Sequence, residues 1–163
     1  MHLWVQEMPK NIDVHADSDW AGCKRTPISV SGGVVRIGGA PIKCWSKDQH
    51  NLAKSSAEAE LYAANLGAEQ ALGMQTTMRE LGHEMDIKIY IDSSAALGVI
   101  QRKGIGKIRN LDVADLWLQK AARDKKLEIY KIDGIYNEAD LFTKPLTTQG
   151  ISAIMERLGN EYT

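Results

Sequence analysis

Apolar residues recur along the chain with two different periods. In IDVHAD, residues 12–17, Ile12, Val14 and Ala16 share one parity, which predicts a half-buried strand. SVSGGVVRIGGAPIKCW predicts two further strands, about 29–37 and 41–46, turning at Gly38–Gly39. Three antiparallel strands in succession are expected. The period then changes. Ala57, Leu61, Ala64, Ala68, Leu72 and Met78 mark one stripe of a long helix over about 56–82, and Gly82 suits its end. DIKIYID, 86–92, alternates again with Ile87, Ile89 and Ile91 on one parity, and Ser93 or Ser94 opens a shorter helix to about 102.

A Gly-rich basic loop, RKGIGKIRN, leads to a helix expected over about 111–125, with Val113, Leu116, Trp117 and Ala121 on one side. KLEIYKID reads as a fifth strand. The tail holds a short helical piece before Pro145 and a last helix carrying Ile151, Ile154, Met155 and Leu158. The order βββαβααβα plus a C-terminal helix predicts an α/β domain with a five-stranded mixed sheet. Strands 1–3 would be antiparallel, and strands 1, 4 and 5 parallel through helical crossovers.

The carboxylates change the picture. Asp17 ends the first strand and Asp92 the fourth, each on the parity opposite the apolar residues. On neighbouring parallel strands the two would emerge together on one sheet face. Like charges brought that close call for a cation between them, and hard oxygen ligands favour magnesium or manganese. The bland alternative is a pair of solvated strand ends. In SAEAELYAA, Ser55-x-x-Glu58 matches a capping box, which occupies Glu58 locally and leaves Glu60 as the better ligand. Asp140 stays open between a ligand and part of an Asn137-x-x-Asp140 cap.

Composition narrows the class. One domain is expected over 12–163, with 1–11 as a short lead-in lacking a signal pattern. Net charge is −1 over 163 residues, so nucleic acid would be held by a local surface and not by overall charge. Such a surface is expected between Arg102 and Lys131, where nine basic residues are offset by four acidic ones. Lys103, Lys107, Arg109 and Asn110 in this loop, with Ser93 beside Asp92, are the candidate nucleic-acid contacts. A merely solvated helix face is the competing reading. Trp20, Trp45 and Trp117 are expected in core packing, with stacking on nucleic acid as the alternative, and His15 as a satisfied strand histidine. Cys23 and Cys44 lack metal spacing and fit a reducing compartment, with a single disulfide as the alternative. No apolar run is long enough to cross a bilayer, so no membrane association is expected.

Taken in order, ADSDWAGC, VSGGVVRIGGAPIKCWSKDQHNLAKSSAEAELYAA, IYIDSSAAL, KIRNLDV and NEADLFTKPL resemble the ribonuclease H domain of Ty1/copia-type retrotransposon polyproteins. The match covers about residues 12–147. The resemblance implies an RNase H-like fold and hydrolysis of the RNA strand of an RNA–DNA hybrid during reverse transcription. It places the acidic set on Asp17, Glu60, Asp92 and Asp140. Two divalent ions, Mg2+ or Mn2+, are implied, with Asp17 bridging both, Glu60 and Asp92 serving one, and Asp140 the other. The implied partners are the hybrid and the reverse transcriptase of the same polyprotein, inside a cytoplasmic virus-like particle or the nucleus. A non-catalytic hybrid-binding or scaffold module is the alternative; integrase and exonuclease readings are disfavoured by the order and identity of the acids. Two departures stand out. The loop before Asp140, KIDGIYNEAD, lacks the histidine of cellular and retroviral relatives, and Asn110 replaces the histidine of a Lys-His-Ile-Asp motif.

Overall fold

In the computed structural model, residues 8–22, 28–102 and 117–159 are described. Strands β1 (Asn11–Asp19), β2 (Val30–Ile37), β3 (Ala40–Asp48), β4 (Asp86–Ile91) and β5 (Glu128–Lys131) form one sheet in the order β3-β2-β1-β4-β5. β1, β2 and β3 pair antiparallel, whereas β1–β4 and β4–β5 pair parallel, as the alternation of periods predicts. Parallel neighbours require crossovers. These are supplied by α1 (Ser56–Glu80) and by the pair α2 (Ser94–Gln101) and α3 (Trp117–Arg123). The basic loop and the first residues of the helix expected over 111–125 lie outside the described residues.

α1 begins where the capping box places it: the Ser55 hydroxyl accepts from Glu58 N–H at 3.2 Å. Its end is a Schellman motif, with Gly82 at φ +87, Gly82 N–H on Arg79 O and His83 N–H on Met78 O. The face between these ends is built of small residues. Ala59, Ala63, Ala64, Gly67, Ala68 and Ala71 are buried, so the helix backbone lies close on β1. A Cβ on Gly67 would sit 3.2 Å from Val14 Cγ1. Ile12, Val14, Ile87, Ile89 and Ile91 fill the interface, each fully buried side chain contributing about 1.5–3 kcal/mol.

β1 alternates as expected, with Ile12, Val14 and Ala16 buried and Asn11, Asp13 and His15 partly exposed, until Asp17 and Ser18 near its end, both of which are buried. Val34 packs with Ile154 and Leu158 of α4 (Thr148–Arg157) and with Leu141, Phe142 and Leu146, forming a second, smaller core behind the sheet. The helical piece before Pro145 is two 3-10 turns, Gly134–Tyr136 and Glu138–Phe142.

Two expectations need correction. Trp20 is no core residue: it is 47% exposed at the sheet end, its indole N–H donating to Ala53 O at 3.0 Å. Trp45 and Trp117 do pack on the main core. His15 is a strand histidine against the Tyr90 ring, centroids 5.1 Å apart, but its buried Nδ1 has no hydrogen-bond partner. Burial, with Arg36 and Arg157 nearby, lowers its pKa to about 4 and keeps it neutral. Cys44 is an exposed free thiol, and Cys23 lies outside the described residues.

Candidate metal centre

Strand register brings the first two acids together. His15 is level with Tyr90 in the parallel β1–β4 ladder. Two residues further along, Asp17 and Asp92 therefore emerge on the same face, Asp92 just past the end of β4. Asp17 is completely buried, while Asp92 is half-buried and followed by Ser93, whose hydroxyl accepts from Ala96 N–H at 3.1 Å and caps α2. Gly134 borders the pair: a Cβ there would lie 3.1 Å from Asp92 Oδ2.

The third acid arrives from the chain's far end. Asn137 is fully buried, and its Nδ2 donates to Ala16 O at 3.1 Å, fastening the second 3-10 turn to β1 next to Asp17. Its Oδ1 accepts from Ala139 N–H at 3.2 Å. Asn137 thus caps the turn through Ala139, and the Asp140 carboxylate lies beside Asp17 and Asp92. One carboxylate oxygen each from Asp17, Asp92 and Asp140 lies within 4.8 Å of the others.

Glu60, in the second turn of α1, stands beside this group without entering it at that distance. Glu58 is occupied locally, though not by the Ser55 N–H that a reciprocal capping box would supply. Its carboxylate accepts from Lys54 N–H and from the Tyr62 hydroxyl, each at 2.9 Å. Glu60 Oε2 is buried and has no such partner.

The electrostatics match this placement. Burial, before anything else, raises the Asp17 pKa to about 6, with Asp140 and Asp92 adding to the shift and Thr143 and Lys144 opposing it. Glu60 is pushed up to about 8, again mainly by burial and then by the charges of Asp17 and Asp92. Lys144 leans into the cluster, its Nζ 2.9 Å from Asp140 Oδ1 and 3.4 Å from Asp17 Oδ2. The Thr143 hydroxyl donates to the same Asp17 Oδ2. Asp17 Oδ1, by contrast, is buried without a hydrogen-bond partner.

This donor set fits a hard divalent cation: the candidate ligands are all carboxylate oxygens, three converge, and the buried Asp17 Oδ1 has no hydrogen-bond partner. Of the nucleic-acid contacts expected from sequence, only Ser93 is described; Lys103, Lys107, Arg109 and Asn110 lie outside the described residues. Sequence reasoning assigned no chemistry to Thr143 and Lys144. Their signal was present in the FTKPL segment, because Lys144 follows Asp140 at helical i,i+4 spacing.

No protein-family model matches the chain. Curated relatives do. It is 27% identical over 147 residues to the retrovirus-related Pol polyprotein from transposon TNT 1-94 of Nicotiana tabacum, covering 89% of this chain and 11% of that protein. It is 23% identical over 152 residues to the corresponding polyprotein from transposon RE1 of Arabidopsis thaliana, covering 91% and 10%. The chain thus spans about a tenth of the length of the curated relatives it matches. Among solved structures, LC11-RNase H1 isolated from compost superposes with a TM-score of 0.63 at 16% identity, covering 91% of this chain and 99% of that one. The same enzyme in complex with an RNA/DNA hybrid superposes with a TM-score of 0.55 at 17% identity, covering 81% and 93%. At such identities the likeness establishes the fold.

Proposed function

We propose that this chain, a homologue of the retrovirus-related Pol polyproteins of plant transposons with the ribonuclease H fold, cleaves the RNA strand of RNA–DNA hybrids by divalent-metal-dependent endonucleolytic hydrolysis. The observation that carries this reading is the meeting of Asp17, Asp92 and Asp140 within 4.8 Å, from three distant parts of the chain. The captured hybrid complex of a structural neighbour supports the substrate class.

Asp17, Asp92, Asp140 and Glu60 would hold the ions, which we take to be two Mg2+ or Mn2+. Held there, such ions would supply an activated water for attack on phosphorus and charge stabilisation for the departing 3′ oxygen. The protein's own part is positional. Thr143 fixes the buried Asp17 carboxylate, and Asn137 fixes the turn that carries Asp140. No side-chain nucleophile is needed.

Ser93, Lys103, Lys107, Arg109 and Asn110 are assigned to the hybrid, chiefly through phosphates. Recognition by groove shape and ribose 2′-hydroxyls would leave little sequence preference. Reverse transcription of a copia-type element, alongside the polymerase of the same polyprotein, is the process this activity would serve. A covalently closed hybrid tests the endonucleolytic reading. Internal cuts in Mg2+, abolished by chelation, are expected; cutting that requires a free RNA end would overturn it.

A further inference from the structure

The acidic centre already holds a positive charge supplied by the chain. Among the described residues, Lys144 contributes the ammonium that contacts these carboxylates, lying between Asp140 Oδ1 at 2.9 Å and Asp17 Oδ2 at 3.4 Å. Its position is built by the backbone. Lys144 N–H donates to Asp140 O at 3.2 Å, so the two side chains sit one helical turn apart on one side. Pro145 then restricts Lys144 to the backbone that ends the turn.

The two oxygens of Asp17 are consequently unequal. Oδ2 is taken by Thr143 and Lys144, whereas Oδ1 is buried and unpartnered. A divalent ion cannot share the Asp17–Asp140 edge with an ammonium at these separations, because like charges at contact distance repel strongly away from bulk water. The lysine side chain is 37% exposed and carries a flexible four-carbon stem, so its head has a path into solvent.

We propose that Lys144 is a resident cation at the Asp17–Asp140 edge, and that a divalent ion enters this edge only by displacing its ammonium. The side of the centre formed by Asp17 Oδ1, Asp92 and Glu60 is then the first position filled. The lysine makes the two positions differ in affinity and keeps the carboxylates compatible when metal is scarce. This inference rests on the reading of the carboxylates as a metal site.

Calorimetric titration of the full chain with Mn2+, without nucleic acid, tests it directly. Wild type is expected to take one ion well and a second weakly. Lys144→Met should tighten the second by about tenfold or more and the first by less than about threefold, because the removed charge lies at one edge. Lys144→Arg should restore the wild-type pattern, which separates charge from any packing defect. Identical isotherms for wild type and Lys144→Met, with Asp17→Asn binding no Mn2+, would overturn the role of Lys144 and leave the metal site standing. Wild type and Asp17→Asn both failing to bind Mn2+ would overturn both.

Discussion

Gly32 and Thr143 touch so closely that a Cβ on the glycine would lie 2.6 Å from Thr143 Cγ2 and 2.9 Å from Phe142 Cβ. Gly32 is also the residue level with Asp17 in the antiparallel β1–β2 ladder. The absent side chain is what lets the 142–144 segment close onto the sheet and deliver a hydroxyl and an ammonium to Asp17. Gly32→Ala should therefore cost about 1–3 kcal/mol through overpacking, read as a lower Tm. It should also weaken Mn2+ binding, because the segment carrying Asp140 is pushed outward. An unchanged Tm would show that the close approach is not needed.

Asn137 joins the same segment to β1 from the other side. Asn137→Ala removes two hydrogen bonds, one of them to the carbonyl of the fully buried Ala16. A loss of about 1–3 kcal/mol is expected in urea denaturation, with reduced metal affinity as Asp140 loses its anchor. Asn137→Asp retains the cap but not the donor, and should recover only part of the stability.

How legible was all this in the sequence? The sheet followed from parity, because Ile12, Val14 and Ala16 and the three isoleucines of β4 report their buried faces directly. Asp17 and Asp92 were legible for the same reason: each breaks parity at a strand end. Glu60 was separable from Glu58 because capping is a local interaction with a fixed spacing. The second face was not legible. Its contacts join residues far apart in sequence, as in Arg36 with Glu138, and no short-range period encodes such a pairing. Trp20 misled for a related reason: its large apolar ring suggested burial, yet its polar nitrogen is satisfied at the rim. His15 misled because a strand pattern shows that a ring is buried and not whether its nitrogens find partners.

The Arg36–Glu138 pair gives a prediction of its own. It ties β2 to the turn that leads into Asp140, with the Glu138 side chain only 3% exposed and Arg36 also donating to Arg157 O at 3.1 Å. Burial holds the Glu138 carboxyl above its ordinary pKa despite the two arginines. Arg36→Met alone strands a buried carboxylate and should cost about 3–5 kcal/mol. The double variant Arg36→Met with Glu138→Met should regain much of that loss. A double-mutant cycle on chemical denaturation measures the difference; strictly additive costs would contradict the pairing.

Stability should depend on pH in a direction fixed by Asp17 and Glu60. Burial raises the first from 3.8 to about 6 and the second from 4.5 to about 8. Each therefore binds its proton more tightly folded than unfolded. That contribution is fully present below the ordinary values and is lost as pH rises through the folded ones. Metal-free protein should lose stability between about pH 4 and pH 8, and divalent ions should reverse the loss by replacing the protons. The rise in Tm on adding Mg2+ should be near zero at about pH 5 and largest above about pH 8. A Mg2+ effect independent of pH would contradict this.

The account depends most on the carboxylates acting together on a hybrid. The most direct measurement is a cleavage time course on an RNA–DNA hybrid, with matched single-stranded RNA, comparing wild type with Asp17→Asn and Asp92→Asn in Mg2+ and after chelation. The account predicts Mg2+-dependent cutting of the hybrid's RNA strand by wild type, sparing of free RNA, and a loss of about a hundredfold or more in either variant. Equal cutting by wild type and both variants, or hybrid binding by wild type without cleavage, would contradict it.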